Sequence, residues 1–210
     1  MIVSDCQQLS EIWFREHAGI PGASSMDKII TSTGKRSTQR KDYMYKLAAE
    51  SLLGVRETGY TNAAMEEGTA REEESRDYFS FLYDVEVHQV GMCYKDEQKK
   101  YLCSPDGLIV DPVEGVTSGL EMKNPLAKTH VEYLDRSAIP TKYFVQLQAS
   151  LFITELPMWF FMSYYPGLDP FIIKVFPDSE FHKKLETELN TFCAELAQLI
   201  GRLKNAKSNI

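Results

Sequence analysis

The chain has 210 residues and a formal net charge of −7. That length fits one domain, residues 1–210, with a core of its own, and the acidic balance argues against a protein that coats nucleic acid without specificity. No apolar run approaches a membrane span, and the start MIVSDCQQLSEIW lacks a basic-then-apolar signal pattern, which favours the cytoplasm. Cys6, Cys93, Cys103 and Cys193 are scattered without a Cys-x-x-Cys pair, as expected of reduced cysteines rather than a zinc or iron–sulfur site.

In chain order, Gln7 to Ala18 reads as an amphipathic helix bearing Leu9, Ile12 and Trp13. GIPGASS breaks it, and Ser24 or Ser25 caps a short helix through Ile30. A polar loop, TSTGKRS, leads to a helix from Thr38 that stops at Gly54. A long helix is expected over Asn62 to Tyr83, with Ala64, Gly68, Tyr78, Phe79 and Leu82 packed and its glutamates facing water. The period then changes. VEVHQVGMCY alternates in places, KDEQKK suits a hairpin turn, and YLCSPDGLIVD returns as a strand interrupted at Ser104-Pro105. SGLEMKNP is a further short strand ended by Asn124-Pro125. Lys142 to Thr154 is helical, PMWFFMSYYP and FIIKVFP are apolar strands, and Ser179 caps a last amphipathic helix. The order predicts an α/β (α+β) fold: one mixed central β-sheet flanked by helices.

The stretch SPDGLIVDPVEGVTSGLEMKNP carries the chemistry. Asp106 follows a proline, and Glu121 and Lys123 lie one residue apart in a predicted strand, so they point to one face. Two carboxylates at neighbouring strand ends suit a hard cation. Magnesium takes oxygen ligands and keeps several waters. Asp106 and Glu121 supply two ligands, and a backbone carbonyl, that of Met122, could add a third. Lys123 then stands where it can orient or deprotonate a bound water, or neutralise phosphate charge. Phosphodiester hydrolysis needs these parts. Taken singly, Glu-x-Lys reads equally as a surface ion pair, and Pro-Asp-Gly as a turn.

Pro-Asp followed by Glu-x-Lys resembles the PD-(D/E)xK nuclease superfamily. The chain more widely resembles the lambda-type phage exonucleases, or YqaJ-like viral recombinases, through WFREHAGIPGASS, EEGTARE, SPDG, LEMKNP and YFVQLQASLFIT in that order, over roughly Trp13 to Thr154. The resemblance implies a restriction-endonuclease-like core and magnesium-dependent degradation of double-stranded DNA from 5′ ends. Manganese would be a substitute ion, with two ions per site. It implies a homotrimer ring and a single-strand annealing protein as partner, in a bacterial cell carrying a phage or prophage. Carried over by residue, Asp106 and Glu121 are metal ligands and Lys123 is the catalytic lysine. Glu72 supports the metal site or its water, and Gln146 contacts the reacting centre. Ser24 and Ser104 help hold a 5′ phosphate. The family arginine falls at His17; the nearest arginine is Arg15, with Arg36 and Arg40 as substitutes.

Two other functions fit the same residues: a restriction-type or branch-cleaving endonuclease, and a non-catalytic DNA-binding protein that has kept the fold. Intact Asp106, Glu121 and Lys123 argue against the second. Without the family pattern, Glu72 reads as a surface glutamate, Gln146 as an ordinary helix residue with Gln148 as its rival, and Trp13, Tyr143 and Phe144 as core.

Overall fold

The structure, a computed structural model, describes residues 1–56 and 70–207. In chain order its elements are β1 (Ile2–Ser4), α1 (Glu11–His17), a 3₁₀ helix (Ala23–Lys28), α2 (Arg40–Leu53), α3 (Glu72–Tyr83), β2 (Glu86–His88), β3 (Met92–Tyr94), β4 (Leu102–Cys103), β5 (Gly107–Asp111), β6 (Gly115–Lys123), α4 (Ala127–Arg136), α5 (Thr141–Thr154), β7 (Trp159–Ser163), β8 (Phe171–Val175) and α6 (Ser179–Lys207). The main sheet has the order β2-β5-β6-β7-β8. Within it β6 and β7 pair parallel and the other neighbours antiparallel, which makes it mixed.

Period-two alternation explains how this sheet is buried on both faces. Along β7, Trp159 and Phe161 join the large core with Val145, Leu147 and Leu151 of α5 and Leu185, Leu189 and Phe192 of α6. Phe160 and Met162 turn the other way and meet Phe79 of α3, together with Leu120 and Met122 of β6. The central pair fits only with glycine at 119. A Cβ there would stand 2.4 Å from the Trp159 ring. Gly54 ends α2 in the left-handed region, as a C-terminal glycine does.

Several sequence expectations need correction. A second sheet, β1-β3-β4, packs around Trp13, Met92, Tyr94 and Leu102. The break at Ser104-Pro105 is where the chain leaves that sheet and enters the main one. The first helix is shorter than expected, because Ser10 caps it: the Ser10 hydroxyl accepts from the Trp13 amide at 3.2 Å. α4 was not anticipated after Asn124-Pro125, and β6 extends back to Gly115. The expected helix from Asn62 falls partly on residues 57–69, outside the described residues, as do Ala64 and Gly68; α3 carries its C-terminal part. All four cysteines are free, with Cys93 and Cys103 buried as cross-strand neighbours. Among the described residues no helix is long and apolar enough to cross a membrane.

Candidate active site

β5 and β6 form a hairpin, and its open end holds Asp106 and Glu121. The Asp106 amide donates to the Leu120 carbonyl at 3.1 Å, and its Oδ2 accepts from the Met122 amide at 2.6 Å. The turn before it is pinned from outside. Gln8 Nε2 donates to the Pro105 carbonyl at 2.9 Å, and Arg76 Nε donates to the Asp106 carbonyl at 3.1 Å. Along β6 the alternation that sends Leu120 and Met122 toward α3 sends Glu121 and Lys123 toward α5. There Gln146 Nε2 donates to Glu121 Oε1 at 2.6 Å, and Lys123 Nζ donates to the same oxygen. Glu121 is 2% exposed. The structure therefore brings Asp106, Glu121, Lys123, Gln146 and the Met122 peptide together, as the sequence reading expected.

Glu72 opens α3 beside this group. Its carbonyl accepts from the Ser75 hydroxyl at 3.0 Å, and that hydroxyl also lies 3.5 Å from the Met122 sulfur. The first turn of α3 thus rests on β6. Further along that turn Glu74 accepts from the Tyr164 hydroxyl at 2.7 Å.

The electrostatics are those of an acid cluster. Burial pushes the Asp106 carboxyl up, and the Glu121 charge adds to it. Lys123 and the Met122 amide offset part of this, Glu72 raises it a little further, and the result is about 8. Burial opposes the charge on Lys123, but Glu121 and then Asp106 outweigh it and hold the ammonium protonated. Carboxylates that repel one another in a dry site are relieved by a divalent cation, which is the physical fit between these residues and magnesium. Among the described residues no group of three His, Cys, Asp or Glu side chains is close enough to hold a metal. Asp106, Glu121 and the Met122 carbonyl are the groups here that could hold a cation, with Glu72 near enough to add to the charge felt by Asp106.

A small polar cavity of about 80 Å³ adjoins the acids. Trp13, His17, Ser24, Arg56, Ser104 and Gln146 are among its lining residues. Ser104 donates to the Gly91 carbonyl at 2.6 Å, and Trp13 Nε1 donates to the same carbonyl at 3.0 Å. Ser24 and Ser104 line the same cavity, with the Ser104 proton engaged by Gly91. The three arginines singled out from sequence do not join them. Arg15 is exposed on α1 and does not line the cavity. Arg36 grips Glu188 of α6 through Nε at 2.8 and 3.1 Å. Arg40 pairs with Glu195 and lines a separate groove of about 810 Å³ between α2 and α6. The sequence reading missed two residues here: Arg56, which no local motif marks, and Arg76, hidden among the charges of α3.

A mixed sheet with paired acids and a lysine at adjoining strand ends defines a DNA-cleaving nuclease of the restriction-endonuclease-like class. The chain belongs to the YqaJ-like viral recombinase domain family, whose family model matches residues 12–157. Among solved structures it is similar to an alkaline exonuclease from Laribacter hongkongensis, LHK-Exo, at 28% identity and a TM-score of 0.83, over 95% of this chain and 99% of that one. A structure of LHK-Exo in complex with dAMP matches equally well. A phage related exonuclease from Haemophilus somnus 129PT shares the fold, at 14% identity and a TM-score of 0.65, over 88% of this chain and 96% of that one. No curated protein matches the sequence.

Proposed function

We propose that the protein is a magnesium-dependent exonuclease that degrades linear double-stranded DNA from 5′-phosphorylated ends and prepares single strands for phage-type annealing recombination. The observation that carries the reading is Gln146. It lines the polar cavity and also donates to Glu121, so a cavity fit for an anion lies one side chain from the acids. An end-processing enzyme needs that adjacency: a terminal phosphate held in one place while a nearby phosphodiester is cut. The similarity to the alkaline exonuclease LHK-Exo, and the dAMP bound to that enzyme, support the same reading.

In this reading Asp106, Glu121 and the Met122 carbonyl hold the ion. A bound magnesium supplies an activated water and compensates charge on the scissile phosphate. Lys123, charged and 27% exposed in its side chain, donates to a phosphate oxygen as negative charge builds. Gln146 orients Glu121 and presents its amide toward the cavity. Glu72 biases the charge on Asp106 from α3. The family resemblance adds a ring-shaped homotrimer and a single-strand annealing protein as partner.

Digestion of matched linear duplexes with 5′-phosphate or 5′-hydroxyl ends, and of a closed circle, in magnesium and in chelator, tests the proposal. The expected result is magnesium-dependent loss of the linear duplex, faster from phosphorylated ends, with the circle intact. A cut circle would overturn the exonuclease reading in favour of an endonuclease on the same core. No cleavage of any substrate in magnesium would favour the non-catalytic reading.

A further inference from the structure

The cavity beside the acids needs a positive charge if it is to hold an anion, and His17, at the position of the family arginine, does not supply one. His17 is 6% exposed. It packs on the Trp13 indole with ring centroids 4.8 Å apart, and against Gly22, where a Cβ would stand 2.9 Å from His17 Cε1. Burial first, and the nearby charge of Arg56 second, lower its pKa to about 3. The imidazole is neutral at any pH near neutrality.

Arg56 occupies the place where the charge is missing. It lies just past Gly54, the left-handed residue that ends α2, so the chain turns there toward α1. Its guanidinium sits over the Trp13 ring, 4.9 Å from the centroid. Stacking uses the face of a guanidinium and leaves its N–H edge for a ligand. No hydrogen bond joins Arg56 to another described residue. It is the one cationic side chain among the described residues lining the cavity. Behind it stands Glu50 of α2, 1% exposed. Glu50 Oε2 accepts from the Gly19 amide at 3.2 Å, and Oε1 lies 3.8 Å from Lys46 Nζ without a hydrogen bond. The Glu50 charge acts on Arg56, and both line a recess behind the cavity. The indole contact and the attraction of the buried Glu50 carboxylate both favour this place for the guanidinium.

We propose that Arg56 is the anion anchor of this cavity, taking the terminal 5′ phosphate from the end of α2 in place of an α1 arginine, with Glu50 and Trp13 positioning its guanidinium. The proposal rests on the end-processing reading above. It also makes that reading more specific. The phosphate would meet a planar fork from Arg56 and the Ser24 hydroxyl, and Ser104 could join them only by turning its proton away from the Gly91 carbonyl. Gln146 would link the bound phosphate to Glu121, so that only an end with its phosphate seated aligns the next phosphodiester with Asp106 and Glu121.

The test compares wild type, Arg56→Gln and Arg56→Lys on duplexes that differ only in a 5′-phosphate or 5′-hydroxyl end. Two quantities are read at fixed salt: the ratio of cleavage rates in magnesium, and the ratio of binding affinities in calcium. Thermal unfolding of each variant checks that it is folded. Wild type should favour the phosphorylated end by roughly tenfold or more, the scale of one charge-assisted contact. Arg56→Gln should bring both ratios close to one, and Arg56→Lys should restore part of the preference through charge without the fork. If wild type discriminates and folded Arg56→Gln discriminates as well, this proposal is overturned and the end-processing reading survives. If wild type itself ignores the phosphate, the end-phosphate reading fails and this proposal fails with it.

Discussion

Without a bound cation, Asp106 should destabilise the fold in proportion to its charge. Its folded pKa is about 8, raised from an ordinary value of 3.8 by burial and then by Glu121. A raised carboxyl holds a proton in the folded state that the unfolded chain releases. Between about pH 4 and pH 8 stability therefore falls as pH rises. The full move from 3.8 to about 8 corresponds to roughly 5 kcal/mol by pH 8. Asp106 is partly reached by solvent, and Lys123 shares its charge, so a net effect of about 2 kcal/mol is the reasonable expectation. Asp106→Asn keeps the shape and an oxygen for the Met122 amide while removing the charge. In chelator at pH 8 it should raise the Tm by roughly 4–8 °C, since 1 kcal/mol is worth about 2–4 °C in a chain of this size. The gain should shrink toward zero by about pH 4. Magnesium should reverse the order, because only the wild type gains binding energy from the ion. Thermal unfolding of both proteins from pH 4 to pH 8, with chelator and with magnesium, measures all of this. An Asn variant no more stable than wild type in chelator at pH 8 would refute the reasoning.

Three further outcomes follow from the same geometry. Glu121→Ala should abolish cleavage and remove magnesium-dependent stabilisation, and calcium should allow wild type to bind DNA without efficient turnover; magnesium titrations followed by Tm, beside end-labelled digestion, check both. Lys123→Ala should lower turnover at saturating DNA by roughly a hundredfold or more with little loss of affinity, and a fall in affinity alone would make Lys123 a phosphate anchor rather than a catalytic group. Gln146→Ala should lower turnover and end-phosphate preference together, since one amide serves both the cavity and Glu121; loss of one without the other, in rates measured on both end types, would break that link.

The acids were legible in the sequence because strand geometry is short-ranged. Period two alone puts Glu121 and Lys123 on one face, and the Pro105-Asp106 break marks the matching strand end. The face of α5 that would meet them was less legible. Gln146 and Gln148 are equivalent by local pattern, and the structure separates them: Gln146 bonds Glu121, while Gln148 is buried and donates to the Phe176 carbonyl at 2.9 Å. The β3–β4 hairpin around KDEQKK was legible, but its separation into a second sheet with β1 was not, because β1 is only three residues long, too short for alternation to register. α4 was missed because Asn124-Pro125 reads as an ending, and the helix begins directly beyond it.

The cation of the cavity shows where local pattern stops being informative. A sequence that departs from a family motif at one position invites a search among neighbours of that position, and Arg15 is the nearest arginine by that measure. On α1, however, a step of two residues turns a side chain about 200° around the axis, to the opposite face. Arg15 and His17 therefore cannot serve the same cavity, and the structure leaves Arg15 exposed while His17 is buried. Arg36 and Arg40 fail for a different reason: each is paired with a carboxylate on α6, away from the cavity. The cation that does line the cavity comes from a different backbone segment that passes beside it. Here that backbone is the end of α2, brought against α1 by the approach of Gly19 to Ser51, where a Cβ on Gly19 would stand 2.7 Å from the serine Cβ. Arg56 follows that contact in the chain. Its placement is a consequence of helix packing, and packing between distant segments leaves no periodic trace in sequence.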